Sequence, residues 1–386
     1  MRGRRAGFLV ALAAHCLGLL AGQTAAARAA EQPQAGSSQP AADDATNELT
    51  LGERMNAATV AVITGTPGGT YFRIGADLAF VLDDADRLRV LPVLGKGAGQ
   101  NAYDLRFLKG IDLAFLRTDT LEQLRQDKRL LNVERHIQYI AKLFDDELHI
   151  IGPVGIDDAR KLAGKRVSFD VKGSGTDYSG RAMFRSLGIA VDGVNVDQPT
   201  ALDMLRKGEL DAVVSVAAKP VSIIAGFDPG GKFHLIPARF TESVHEAYIP
   251  ASLASSDYPK LLTSGAIDTL AVGSVLGVYN HPKGTPRYRK LTRFVEAFFG
   301  KFDAFLSPQR HPKWRDVNLA ASVSGWTRFR PAQEWLDAHR GQEAMAASES
   351  AQFLKEQQPS ATADKEELYQ AFLKWRKSRR SAASGL

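Results

Sequence analysis

Apolar and polar positions follow two rhythms along this chain, and glycine or proline often marks where one gives way to the other. "TVAVIT" (59–64) is a β-branched run that reads as a strand, and it passes through the turn "GTPGG" into Tyr71–Leu82, where apolar residues recur at helical spacing. The sequence then predicts a strand in "RLRVLPVL", a helix over Asn101–Lys109 and a short buried strand in "IDLAFLR". "HIQYIAKLFDDELHIIGPV" reads as two further strands, "DDARKLAGKRVSFDV" as a helix and a strand, Ser179–Leu187 as a helix and "DAVVSVAA" as a strand. Strands and helices that alternate in this way predict an α/β protein, its sheets largely parallel and covered by helices on both faces. No internal sequence repeat is present.

The first 56 residues break this rhythm. Arg2, Arg4 and Arg5 precede an apolar run, Gly7–Leu20, and then the small residues "AGQTAAARAA", which is the three-part pattern of a secretory signal peptide. The run is about 14 residues, short of the roughly 20 that span a bilayer as a helix. The expected mature start is near Ala30 or Glu31, with an uncleaved N-terminal membrane anchor as the alternative. Cys16, the only cysteine, lies inside the run, so a cleaved protein has neither a disulfide nor a thiolate metal site.

Charge changes the picture only at the ends. The formal net charge is +6, and four arginines with no acids lie within the first 30 residues. Lys365–Arg380 carries six Lys or Arg against two Glu, so the body between the ends is slightly acidic. No basic stripe interleaved with aromatics points to nucleic acid. About 355 mature residues exceed what one core supports, so two lobes are expected. The organisation read from the sequence is a signal peptide (1–30), a flexible leader (31–56), a first lobe (57–147), a second lobe (148–273), a return to the first lobe with C-terminal helices (274–335), and a linker ending in a basic helix (336–386).

The glycine turn carries the first chemistry. A strand that enters a Gly-rich turn and then a helix presents unpaired N–H groups and the positive end of the helix dipole, an arrangement suited to an anion. The spacing is neither GxGxxG nor GK[ST], which weakens a nucleotide reading and leaves a turn that merely needs glycine as the plain alternative. Four more stretches follow predicted strands: "GKGAGQN" (95–101), "RTDT" (117–120), "DVKGSGTDYSG" (170–180) and "SVAAKP" (215–220). Ligands of open α/β sheets sit outside the carboxyl ends of strands, so two lobes with such edges make a cleft.

Five segments in one order, "TGTPGGTYFRIGADLA", "IDLAFLRTD", "LAGKRVSFDVKGSGT", "LRKGELDAVVSV" and "YIPASLASSDYP", resemble extracytoplasmic solute-binding proteins of the TAXI family, the TRAP-associated immunogenic type. The resemblance runs from about Val60 to Tyr288, and Thr66, Pro67, Arg117 and Lys219 depart from the family's pattern. It implies a type II periplasmic-binding-protein fold, two α/β lobes joined by a two-strand hinge with the ligand cleft between them. It further implies periplasmic capture of a small carboxylate-bearing solute, an organic acid or amino acid, and delivery to a TRAP permease driven by an ion gradient. The same resemblance implies that no chemistry is done on the ligand; a monomer without cofactor is expected, and without metal, since the histidines have no HxxxH or carboxylate partner at ligand spacing.

The expected ligand contacts are Thr64, Gly65, Gly68, Gly69, Thr70 and Tyr71 in the first loop, Gly97, Arg117 and Thr118 after the next strands, and Gly173, Ser174, Gly175, Thr176, Ser215 and Lys219 on the second lobe. Each has a structural rival: an N-cap for Ser174, a surface ion pair for Arg117. Asn101 is expected to cap the helix it begins, the histidines to be surface or core residues, and Trp326 and Trp335 to pack the C-terminal extension. Two other functions fit the same fold: a periplasmic sensor that signals to a membrane receptor, and an enzyme.

Overall fold

The computed structural model describes residues 42–84, 87–125, 132–241, 244 and 248–340, with 353, 371, 374 and 375. The expected signal peptide and, apart from those four positions, the linker and basic helix beyond 340 lie outside the described residues.

The elements run α1 (Ala42–Ala58), β1 (Thr59–Ile63), α2 (Thr70–Leu82), β2 (Arg89–Val93), α3 (Ala98–Phe107), β3 (Leu113–Arg117), α4 (Thr120–Arg125), α5 (Val133–His136) and β4 (Ile137–Pro153). They continue through β5 (Arg166–Ser168), α6 (Arg181–Ser186), β6 (Asp192–Val194), α7 (Gln198–Arg206), β7 (Ala212–Ala217), α8 (Ser222–Gly226), β8 (Phe233–Leu235), β9 (Ile249–Ala254), β10 (Ala266–Tyr279) and α9 (Pro286–Gly300). Residues 42–56, expected to be an irregular leader, are helical as part of α1. The helix expected before β5 is a single 3-10 turn, Ala159–Leu162.

The strand order is β2-β1-β3-β10-β4-β7-β5-β6, with β8 on β4 and β9 on β10. In the first half β2, β1 and β3 are parallel and β10 returns antiparallel to β3. The second half repeats the plan, with β6, β5 and β7 parallel and β4 antiparallel to β7. Two α/β lobes of the same topology, joined by the two long strands β4 and β10, make a type II periplasmic-binding-protein fold.

Period-two burial explains why each half needs helices on both faces. Along β3, Leu113 and Phe115 enter one core with Ile74 and Leu78 of α2 and Phe294 and Phe298 of α9, whereas Ala114 and Leu116 enter another with Leu105 of α3 and Tyr139. In β7, Val214 and Val216 face Phe169 and Phe184, while Val213 faces Leu202 and Leu205 of α7. The C-terminal segment completes the first of these cores. Trp314, Phe329 and Leu336 are buried beside α2 and α9, and the Trp314 indole N–H donates to Asp77 at 2.9 Å. Trp326 is buried on the opposite face, and Trp335 packs edge-on against Phe299.

One correction bears on the hinge. The stretch read as two strands is a single strand of 17 residues, β4. Three consecutive acids, Asp145–Glu147, suggest a break, but each meets a cation: Lys142 at 2.9 Å, Arg117 at 2.7 Å and Lys313 at 2.7 Å. The ladder therefore continues through them, and it is here that β4 exchanges β10 for β7 as partner.

Helix ends follow local chemistry. At the start of α9 the Thr285 hydroxyl accepts from Tyr288 N–H at 3.2 Å, and Pro286 takes the first position, where its missing N–H costs nothing. Thr285→Ala is expected to lower stability by about 1 kcal/mol, read from the shift of a urea unfolding curve.

Candidate functional site

The turns after β1, β2, β5, β6 and β7, with Arg117 at the end of β3, converge on a cavity of about 400 Å³ between the two halves. Of the residues expected to bind ligand, Gly65, Gly68, Gly69, Thr70, Tyr71, Gly97, Arg117, Gly175, Thr176 and Ser215 line it. Gly69, the residue before α2, provides no side-chain cap, so the amides of the first turn of this 13-residue helix are offered to the cavity side.

Five expected residues stand elsewhere in the same region. Thr64 is buried beneath the loop, its hydroxyl donating to Val93 O at 2.9 Å. Thr118 N–H donates to Gly273 O at 2.8 Å, tying β3 to β10. Ser174 caps its own turn, accepting from Asp177 N–H at 3.0 Å, and Gly173 N–H donates to Asp177 Oδ2 at 2.9 Å. The Lys219 ammonium is engaged by Asp257 at 3.0 Å and by Ser252 O at 2.8 Å. Asn101 is not a cap. It lies inside α3, where its amide donates to Thr64 O at 2.8 Å and Phe115 O at 2.9 Å and so stitches the first loop to β3.

Arg117 is at the cavity, but its guanidinium is directed into the protein. Nε donates to Asp146 Oδ2 at 2.7 Å, Nη2 to Val216 O at 2.5 Å and Nη1 to Ser179 Oγ at 3.4 Å. Tyr71 OH donates to the same Asp146 oxygen at 2.5 Å, its ring stacked on Phe115. Burial opposes the guanidinium's charge, yet Tyr71, Asp146 and Asp119 around it hold it protonated. The same burial pushes the Tyr71 hydroxyl well above its usual range, so it remains a donor. Sequence reading expects a cation facing the ligand, or else an ion pair at the surface. The pair formed is buried and reaches from β3 to the second half.

Other contacts cross the cleft. Thr70 Oγ1 donates to Ala218 O at 3.0 Å, and Gln100 N–H donates to Gly173 O at 3.3 Å. Gly97 and Gly99 approach closest: a Cβ on Gly97 would lie 2.7 Å from Gly175 N, and one on Gly99 would lie 2.2 Å from the Tyr178 ring. The two halves are thus in contact around the cavity.

Sequence reasoning missed the acidic part of the wall, Asp146, Asp170 and Asp197, together with Lys96 and Gln198. Asp170 is buried with φ +63°, a conformation uncommon for a residue with a side chain. Burial raises its carboxyl to about 6. Asp197 caps α7 by accepting from Thr200 N–H at 3.0 Å. The signal available for Asp170 was its position directly after "VSF", a strand end ahead of a glycine turn. Asp146 had none, because an acid within a charged triplet reads as solvated.

Among the described residues no group of His, Cys, Asp and Glu is placed to hold a metal ion, and no helix is long and apolar enough to cross a membrane.

A model of the NMT1-like family matches residues 62–281. Among solved structures, the chain is similar to the periplasmic binding protein BugD, at 13% identity and a TM-score of 0.46 over 73% of this chain and 97% of that one. It is also similar to a periplasmic transporter, at 16% identity and a TM-score of 0.43 over 75% and 94%. A third is the VFT2 domain of Bordetella pertussis BvgS, at 16% identity and a TM-score of 0.38 over 65% and 91%. None of these likenesses bears on the ligand.

Proposed function

The chain belongs to the NMT1-like family, and we propose that it is an extracytoplasmic solute-binding protein, which captures a small carboxylate-bearing solute between its lobes and hands it to a TRAP-type permease. The observation that carries this reading is the cavity between the halves, with an uncapped helix N-terminus on one wall and direct hydrogen bonds between the halves around it. A carboxylate at the first turn of α2 would meet amide donors and the positive end of the helix. Closure would replace its water by these fixed dipoles, so ligand would favour the closed form.

On this reading the protein acts as a binding protein rather than an enzyme. The lobes divide near 147 and 273, and the N-terminal pattern of arginines and apolar residues directs the chain to the periplasm. The resemblance of the "TGTPGGTYFRIGADLA" and "LAGKRVSFDVKGSGT" segments to TAXI proteins is what favours a TRAP permease as partner.

The test is a melting screen of the mature protein against small carboxylates, amines, sugars and neutral polar solutes. Carboxylate-bearing members are expected to raise the melting temperature, a stabilisation of about 2.7 kcal/mol at one hundred times Kd. A screen in which sugars or carboxylate-free amines alone stabilise the protein would refute the anion half of the proposal.

A further inference from the structure

The cavity wall is mainly apolar, and its few polar groups differ between the two sides. The first-half side presents donors, the amides of the first turn of α2. The opposite side and the crossover present acceptors. Asp146 Oδ2 is occupied by Arg117 and Tyr71, but its Oδ1 is buried and has no hydrogen-bond partner. Gln198 uses its amide N–H on Val214 O at 2.8 Å, which leaves its carbonyl oxygen as the free end. Asp170 is buried at the cavity, and its carboxyl is raised by that burial and by the like charges of Asp197 and Asp177. Asp177 is itself matched by Arg181 at 2.6 Å, whereas among the described residues no cation pairs with Asp170.

A carboxylate held out of water without a counter-charge is costly, and a left-handed backbone at a residue with a Cβ adds to that cost. Both are relieved or made useful if a cation arrives with the solute. We propose that the solute carries a basic nitrogen, an ammonium or amidinium, in addition to its carboxylate, and that Asp170, with the Gln198 carbonyl, receives it. This rests on the reading of the cavity as the solute site. Asp170 then sets specificity: a second carboxylate would face it as a like charge, and a carboxylate alone would leave it unpaired.

The experiment is calorimetric titration with matched pairs: leucine against 2-hydroxy-4-methylpentanoate, 5-aminopentanoate against glutarate, and 4-guanidinobutanoate against butanoate. The wild type is compared with Asp170→Asn. Asparagine tolerates the left-handed backbone and removes the buried charge, so the variant should melt at or above the wild-type temperature without solute. The amine- or guanidine-bearing member of at least one pair is expected to bind at least tenfold more tightly than its partner, and Asp170→Asn to close most of that gap. Equal binding within every pair, or a gap that Asp170→Asn leaves intact, overturns this inference and leaves carboxylate capture standing. Binding of none of the six overturns both.

Discussion

Arg117→Gln is expected to lower stability by about 3–5 kcal/mol, because it removes one member of a buried ion pair and leaves the other uncompensated. Asp146 has no exposed surface, and Arg117 is 3% exposed. Glutamine cannot supply the charge, nor can it reach Asp146, Val216 and Ser179 together. Arg117→Lys keeps the charge but not the fork and should fall between the two. The measurement is urea unfolding of the wild type, both single variants, Asp146→Asn, and the double variant Arg117→Met/Asp146→Leu. The double variant should cost much less than the two single losses added, since no unpaired charge is left behind; what remains is the hydrogen bonds lost by Tyr71, Val216 O and Ser179, about 1 kcal/mol each. An Arg117→Gln protein within about 1 kcal/mol of wild type, with weakened solute binding, would return the guanidinium to the solvent or the ligand.

Gly99→Val should reduce solute affinity about 100-fold while leaving the unliganded protein as stable as before, a loss within the range of 1–3 kcal/mol that overpacking brings. Gly99 is in α3, Tyr178 is in the second half, and a Cβ would lie 2.2 Å from Tyr178 Cδ2 and 2.5 Å from Cγ. With Cγ also in the way, a rotation of the ring about its own axis gives no relief. The clash exists only when the halves touch, so it prevents closure rather than folding, and valine is no worse than glycine inside a helix. Calorimetry reads the affinity, and X-ray scattering should show that added solute no longer reduces the radius of gyration. Tyr178→Ala in the same chain should restore much of the loss. Wild-type affinity in Gly99→Val would mean that binding does not need the halves to meet at α3.

Much of the scaffold was legible because local rules decided it. The β-branched run at 59–63, the apolar run at 113–117 and the glycine turn before α2 occupy the places their patterns indicate. Where the reading failed, the deciding partner was distant in sequence. Nothing near Asp146 announces that Arg117 and Tyr71 will bond to it, and the stretch that holds the acid triplet reads as two strands rather than one. Asn101 looked like a cap because its partners, Thr64 O and Phe115 O, belong to other strands. The repeat of topology between the halves left no trace in the residues, since any apolar set with the right period can build either sheet. Trp314 likewise shows a large apolar group in the sequence but not that α2 and α9 form its surroundings.

The continuity of β4 and β10 has a mechanical consequence. Two strands that stay hydrogen-bonded on both sides of a crossover do not behave as a pin joint, in which one bond rotates and the bodies swing freely. They form a pair of leaf springs, stiff along their length and compliant only in bending and twist. The compliance is concentrated where the ladder is interrupted, at the register shifts between Gly273 and Val275, opposite Asp145 and Lys142, and between Leu276 and Gly277, opposite Ala141 and Tyr139. Such a flexure guides the two halves along one reproducible arc, so that Thr70 meets Ala218 and α3 meets the Tyr178 turn at the same registration each time.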